Sequence, residues 1–335
     1  MNRKNRKNIL HKIASSLGII SSIVEDALDP NNKTEFKTLG TAGAGTAVMG
    51  TKKIIKDDGT LNVTVNFRGL AAHPKYVGHL KLDNGVLVTA NAVAKTPEER
   101  KRNLGSALLT EQYDIGRVQA IIKNAMEKAR QQQPDTEIKK VVVNFLGFSG
   151  GGSVVSRIVS AYEANKNVFK ADVPVEIGAI AINDGWHNKS PSMIRFAEEA
   201  RKNPDKHRLY ITHTAVKTQG YPSTTETANY LLDSLGMKRK KYEGKPIAGL
   251  KPTHIAQDGG VTVLTAYDTP AKYYVDNRPG SMGDQHVQAA RVGYIPIFEE
   301  INKLIKSDLI RLKIRLLKLL LLSLYFSYKI LSKFL

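Results

Sequence analysis

The 335-residue chain contains no cysteine. That absence excludes a disulfide framework, thiolate catalysis, Cys-ligated zinc and iron–sulfur clusters. It leaves the redox compartment open. The His residues show neither H-x-x-x-H nor H-E-x-x-H spacing, so the zinc-protease pattern is missing too. No internal repeat or low-complexity tract is present, which argues against a solenoid or a disordered chain. Acidic residues are scarce: 31 against 50 basic ones, for a formal net charge of +19. What remains is ordinary globular material, 41% hydrophobic and 24% charged, enough to bury a substantial core.

The excess charge is concentrated at the two ends. Residues 1–13 carry Arg3, Lys4, Arg6, Lys7 and Lys12 without an acid, and residues 306–335 carry seven basic side chains against Asp308 alone. Together the ends hold 11 of the 19 charges. A nucleic-acid protein spreads basic and aromatic residues over a folded face, so nucleic acid is not the expected partner. The internal run Lys238-Arg239-Lys240-Lys241 reads as a solvated loop.

The first segment has apolar residues at Ile9, Ile13, Leu17, Ile20 and Val24, a helical spacing. A secretory signal is the competing reading, but the stretch is serine-rich and lacks a small-x-small cleavage site. In the tail, the uncharged stretch Leu319–Tyr328 has 10 residues, against about 20 for a spanning helix. On a helix Arg311, Arg315, Lys318, Lys329 and Lys333 share one face of a Leu-rich cylinder, with Lys313 off it. This pattern suits an anionic membrane surface, with a short span or packing against protein as the other readings. Localisation stays open between cytoplasmic and exported, with peripheral membrane association.

Between these ends strands and helices alternate. Strands are expected at Ala47–Lys56, Leu61–Phe67, Leu80–Leu82, Val86–Ala90, Val141–Leu146, Val175–Ile182, Leu209–His213 and Val261–Ala266. Helices are expected at Glu111–Arg130, Ser153–Ala164, Met193–Lys202, Thr224–Leu235 and Gln285–Leu304, with a break or kink at Pro296. Asp57-Asp58-Gly59-Thr60 and Asp83-Asn84-Gly85 read as hairpin turns. The alternation predicts an α/β fold with a mainly parallel sheet flanked by helices. Length alone allows two domains. The pattern gives one of catalytic size, 45–305, with a basic N-terminal extension at 1–44 and a basic hydrophobic helix at 306–335.

Directly after the most apolar strand comes Gly147-Phe148-Ser149-Gly150-Gly151-Gly152, followed by a helix. G-x-S-x-G between strand and helix is the context of a nucleophile elbow: a sharp turn lifts Ser149 Oγ above the sheet and leaves the Gly150 amide at a helix N-terminus. A phosphate-binding loop would need a Lys-Ser or Lys-Thr pair that is missing. A dinucleotide turn could use Gly147, Gly150 and Gly152, yet Asp184 lies 32 residues beyond, where the fingerprint wants about 20. A tight turn without chemistry is the remaining alternative.

On these residues the chain resembles the α/β-hydrolase superfamily, in element order over residues 45–304. The resemblance implies an α/β-hydrolase-like sheet with N- and C-terminal helical extensions, and a triad in the order Ser149, Asp184, His286. Asp184 follows a strand within Asn183-Asp184-Gly185-Trp186, and His286 opens the last helix. Many members carry the acid one strand later, where Thr214–Tyr221 offers no carboxylate. Asp268 and Glu226 are therefore alternatives to Asp184, and Asp284 suits a helix cap. Phe67-Arg68-Gly69-Leu70 looks like the oxyanion segment of class 3 lipases, with Leu70 where those lipases have Thr or Ser. Gly150 and Leu70 would then supply the oxyanion amides. The elbow also departs from those lipases, which have His before Ser and Leu after it. The resemblance implies a serine hydrolase acting on carboxylic esters, lipid esters included, without metal or cofactor. A peptidase or thioesterase on the same residues, and an inactive membrane-associated binding protein, are the rival readings. Oligomeric state is open.

Overall fold

The structure is a computed structural model that describes residues 37–38, 45–49, 54–67, 85–90, 113–215, 222–247, 249–268 and nine positions between 285 and 301. The chain divides into a short unit, Met1–Lys37, and a large one, Thr38–Leu335. The expected N-terminal helix and the basic tail lie outside the described residues. No described helix is long and apolar enough to cross a membrane.

One sheet organises the large unit. Its strands are β1 (Lys37–Thr38), β2 (Gly45–Met49), β3 (Thr60–Phe67), β4 (Val86–Ala90), β5 (Lys140–Phe148), β6 (Val175–Asn183), β7 (Arg208–His213), β8 (Lys240–Lys241), β9 (His254–Asp258) and β10 (Val261–Thr265). They lie in the order β1-β2-β4-β3-β5-β6-β7-β10-β9-β8. From β4 to β10 every pairing is parallel. β2 and β9 join antiparallel at either side, and β8 pairs antiparallel with β9. With helices α1 (Ile115–Gln132), α2 (Gly150–Ala164), α3 (Pro191–Lys202) and α4 (Thr224–Leu235) on the sheet, this is an α/β fold with a mainly parallel sheet flanked by helices.

Strand alternation sorts the side chains onto two faces. Val63, Val65, Phe67, Val143 and Phe145 meet Val118 and Ile122 of α1, Val155 and Ile158 of α2, Phe196 of α3 and Leu231 of α4 in one apolar cluster. Full burial of each such side chain contributes about 1.5–3 kcal/mol. The opposite face gathers Leu146, Phe148, Ala181, Tyr210 and Leu264 with Val292 and Ile301. The described residues between 285 and 301, Pro296 among them, are helical. They therefore cover the face that α1–α4 leave free. Asn144, on that second face, fits a register shift between β5 and β6: its Oδ1 accepts from the Ala179 amide at 2.9 Å where the ladder slips.

Of the two expected hairpins, the one at Asp83-Asn84-Gly85 has its first strand, Leu80–Leu82, outside the described residues. Both edges of β4 are taken, by β2 on one side and β3 on the other. Gly85 serves a different purpose, since a Cβ there would sit 2.2 Å from the Asn62 carbonyl oxygen. The Asp57–Thr60 turn does form: Lys56 N–H donates to the Thr60 carbonyl at 3.0 Å, and Ile55 bridges Leu61 antiparallel before β3 runs on between β4 and β5. Of the expected Ala47–Lys56 strand, the start lies in β2, Ile55 makes a bridge, and 50–53 lie outside the described residues. The run Lys238–Lys241, expected as a loop, ends in the exposed strand β8.

Candidate active site

Three adjacent parallel strands end side by side, and each is followed by a residue that leaves the sheet. Ser149 follows β5, Asp184 follows β6 and Thr214 follows β7. Backbone bonds stitch these exits together: Ser149 N–H donates to the Asn183 carbonyl at 3.1 Å, and Asp184 N–H to the Thr212 carbonyl at 2.7 Å. The C-terminal edge of a parallel sheet is where α/β proteins place their ligands.

Ser149 holds φ 52° and ψ −126°, outside the usual regions for a residue with a side chain. Such a backbone costs roughly 1–3 kcal/mol and persists only where its surroundings enforce it. Here they do. Gly185, after Asp184, packs so closely that a Cβ would stand 2.2 Å from the Ser149 carbonyl oxygen, and one on Gly151 would stand 2.0 Å from that of Phe67. The end of β3 and the Asp184 loop thus clamp the turn from two sides. α2 begins at once with Gly150, whose amide has no carbonyl four residues earlier in the helix. Ser149 and Gly150 are both half-exposed.

Asp184 is 2% exposed. Its Oδ1 accepts from Thr214 N at 3.0 Å and Thr224 Oγ1 at 2.5 Å, and its Oδ2 from Thr214 Oγ1 at 2.9 Å and His286 Nδ1 at 2.6 Å. Burial pushes the carboxyl pKa up, but the His286 and threonine donors outweigh it and hold it below the ordinary value. The group is an ionised carboxylate at neutral pH. Its own backbone is left-handed, with φ 43°.

The His286 ring lies over Phe148, centroid to centroid 4.6 Å, and its side chain is 28% exposed. With Nδ1 engaged by Asp184, Nε2 is the nitrogen left for proton transfer. Phe148 immediately precedes Ser149, so the elbow carries the surface on which the imidazole rests. No hydrogen bond joins Ser149 Oγ to His286.

The other acids that the sequence offered are engaged elsewhere. Glu226 caps α4, its Oε2 accepting from Ser223 N at 2.6 Å. Asp268 stands 3.8 Å from His254. Leu70 and Asp284 lie outside the described residues, although Phe67, three positions before Leu70, ends beside Gly147 and Gly151. Sequence reasoning missed Thr214 and Thr224. It searched the segment after β7 for a carboxylate, and that segment supplies donors to a carboxylate instead. Among the described residues no group of three His, Asp or Glu side chains could hold a metal ion.

No family model matches the chain, and no curated protein matches its sequence. One solved structure, described as "Structure of arylesterase", is similar over 89% of this chain and 97% of its own, at 11% identity and a TM-score of 0.36. At that score the likeness says nothing about the chemistry of this chain. The site must speak through its own geometry: a strained, half-exposed serine at a helix N-terminus, a half-buried imidazole against the preceding residue, and a buried carboxylate fixing one nitrogen of that ring.

Proposed function

We propose that this chain is a serine hydrolase that cleaves carboxylic esters through Ser149, His286 and Asp184. The observation that carries the reading is the Asp184–His286 pair at 2.6 Å, with the imidazole seated on Phe148 beside Ser149. His286 Nε2 takes the Ser149 proton as Oγ attacks the carbonyl carbon. Asp184 holds the ring in one tautomer and stabilises the imidazolium. The negative charge on the tetrahedral oxygen is met by the Gly150 amide at the start of α2, where the helix dipole reinforces it, with an amide near Leu70 as the second donor. The imidazolium then protonates the leaving alcohol. Water, deprotonated by the same nitrogen, releases the acid and restores Ser149.

Lipid esters at an anionic membrane surface are the substrates favoured by the basic, Leu-rich tail at 306–335. Flotation of full-length chain with anionic liposomes, compared with a chain ending at Lys306, tests that part. The chemistry is tested by a fluorophosphonate probe and a panel of aryl and alkyl esters, amides and thioesters. Ester turnover with covalent labelling that disappears in Ser149→Ala is expected. A folded protein that neither labels nor turns over any of them would be a binding protein, and preference for an amide or a thioester would make it a peptidase or a thioesterase.

A further inference from the structure

Behind Asp184 lies a second set of polar groups that the proposed chemistry does not use. We infer that His213 and Arg239 are positioning residues for Asp184, acting through a one-way hydrogen-bond relay by way of Thr225 and Thr214. The inference rests on the triad reading above.

The direction of the relay follows from what each group can donate. His213 closes β7 and is 1% exposed. Arg239 Nη2 lies 3.1 Å from its Nε2, and Thr265 Oγ1 lies 3.0 Å from the same nitrogen. A guanidinium has only donors, so Nε2 is an acceptor and the ring proton sits on Nδ1. That proton points to Thr225 Oγ1 at 3.2 Å. The Thr225 hydroxyl accepts that proton on one lone pair and donates its own to the Thr214 carbonyl at 2.6 Å. Thr214 is thus gripped at its carbonyl while its amide and hydroxyl both point at Asp184. Thr224 also approaches that carbonyl, at 3.2 Å, but its proton is committed to Asp184 Oδ1 at 2.5 Å.

The imidazole is well suited to transmit orientation without charge. Burial, reinforced by the neighbouring guanidinium, lowers its pKa to about 4. A protonated ring would place two cations 3.1 Å apart. Arg239 has no described carboxylate within ion-pair distance, although Asp233 acts on it through the field; its second bond goes to Asn229 Oδ1. Within the basic run Lys238 to Lys241 the three lysines are exposed and Arg239 alone is turned inward. It faces a neutral ring whose tautomer it sets.

The test compares full-length wild type with His213→Leu, His213→Asn and Arg239→Met. It reads kcat and KM on an ester, the rate of fluorophosphonate labelling, and the low-field proton resonance of His286 Nδ1–H. Misplacement of a catalytic group by about 1 Å costs roughly 10²-fold. His213→Leu is therefore expected to lower kcat and labelling by that order with KM within about twofold, and to shift the low-field resonance upfield. His213→Asn, whose amide N–H can replace the donor to Thr225, should recover most of the loss, and Arg239→Met should fall between. A folded His213→Leu with wild-type kcat and an unmoved resonance would overturn the relay. Should His213→Leu not fold, Thr225→Val breaks the same chain at a half-buried hydroxyl and is read in the same way. If the wild type itself neither labels nor turns over, the hydrolase reading has failed, and the resonance still tests the relay because it reports on Asp184 and His286 alone.

Discussion

His286 Nδ1 and Asp184 Oδ2 stand 2.6 Å apart although 102 residues separate them in the chain. The contact crosses the sheet edge: Asp184 leaves the end of β6, and His286 belongs to the helical residues on the face opposite α1–α4. Four donors converge on the one carboxylate, two from Thr214, one from Thr224 and one from His286.

Asp184→Asn puts an amide where four donors expect acceptors. One oxygen is retained, and the NH2 group faces at least one N–H or O–H. Loss of the charge and of the enforced His286 tautomer should reduce kcat by about 10⁴-fold. Each donor left unsatisfied should lower stability by about 1–3 kcal/mol. Steady-state kinetics and thermal melts on the same preparation check both numbers. A variant that stays active would transfer the acid's role to Asp268 or Glu226.

Gly185→Ala tests the clamp on Ser149. The added methyl would lie 2.2 Å from the Ser149 carbonyl oxygen and 2.7 Å from its nitrogen, both rigid backbone atoms. The Asp184 loop and the elbow must move apart, so turnover should fall by at least about 10²-fold, with a lower melting temperature. An alanine variant with wild-type kcat would show that the two turns need not touch.

Much of this was legible in the sequence because it depends on local rules. The helix Thr224–Leu235 is bounded by its own signals, a Ser223–Glu226 capping box at the start and Gly236 in the left-handed region at the end. The turn at Ser149 was legible because glycines flank a serine between an apolar strand and a helix. Pairing was not legible. Asp83-Asn84-Gly85 has hairpin chemistry, yet strand β4 is claimed by partners distant in sequence. β9, with His254, Gln257 and Asp258 in five residues, lacks the alternation that marks a half-buried strand and became visible only as the antiparallel neighbour of β10. Thr214 and Thr224 were invisible for the same reason, since a threonine acquires its role only when a carboxylate from another strand is brought to it.

His213 gives stability a defined pH dependence. Its pKa falls from 6.5 to about 4 in the fold. Between those values the unfolded chain binds a proton that the native state refuses, so stability decreases as pH falls from 6.5 to 4 and levels off below. A shift of that size amounts to about 3 kcal/mol. Asp184, held low, adds its own loss at more acid pH, where the unfolded carboxylate takes up a proton that the native one still refuses. Thermal melts from pH 7 to 4 should show the decline in wild type and a flatter profile in His213→Leu. Identical profiles would assign the decline to other groups.

Ser149 itself should be a site where activity and stability oppose each other. Its φ of 52° and ψ of −126° lie where a Cβ is disfavoured, and the strain is maintained by the Asn183 carbonyl, which holds the Ser149 amide at 3.1 Å. Glycine adopts such a conformation without steric penalty but loses more backbone entropy on folding. Relief of roughly 1–3 kcal/mol of strain against an entropic cost of about 0.5–1 kcal/mol leaves a net gain. Ser149→Gly is therefore expected to abolish turnover and labelling while raising unfolding stability by about 1 kcal/mol, measured by urea denaturation with an unchanged slope. Ser149→Ala removes the hydroxyl and keeps the Cβ, so it should lose activity without that gain. A Ser149→Gly variant less stable than Ser149→Ala would mean that the elbow is not strained in solution.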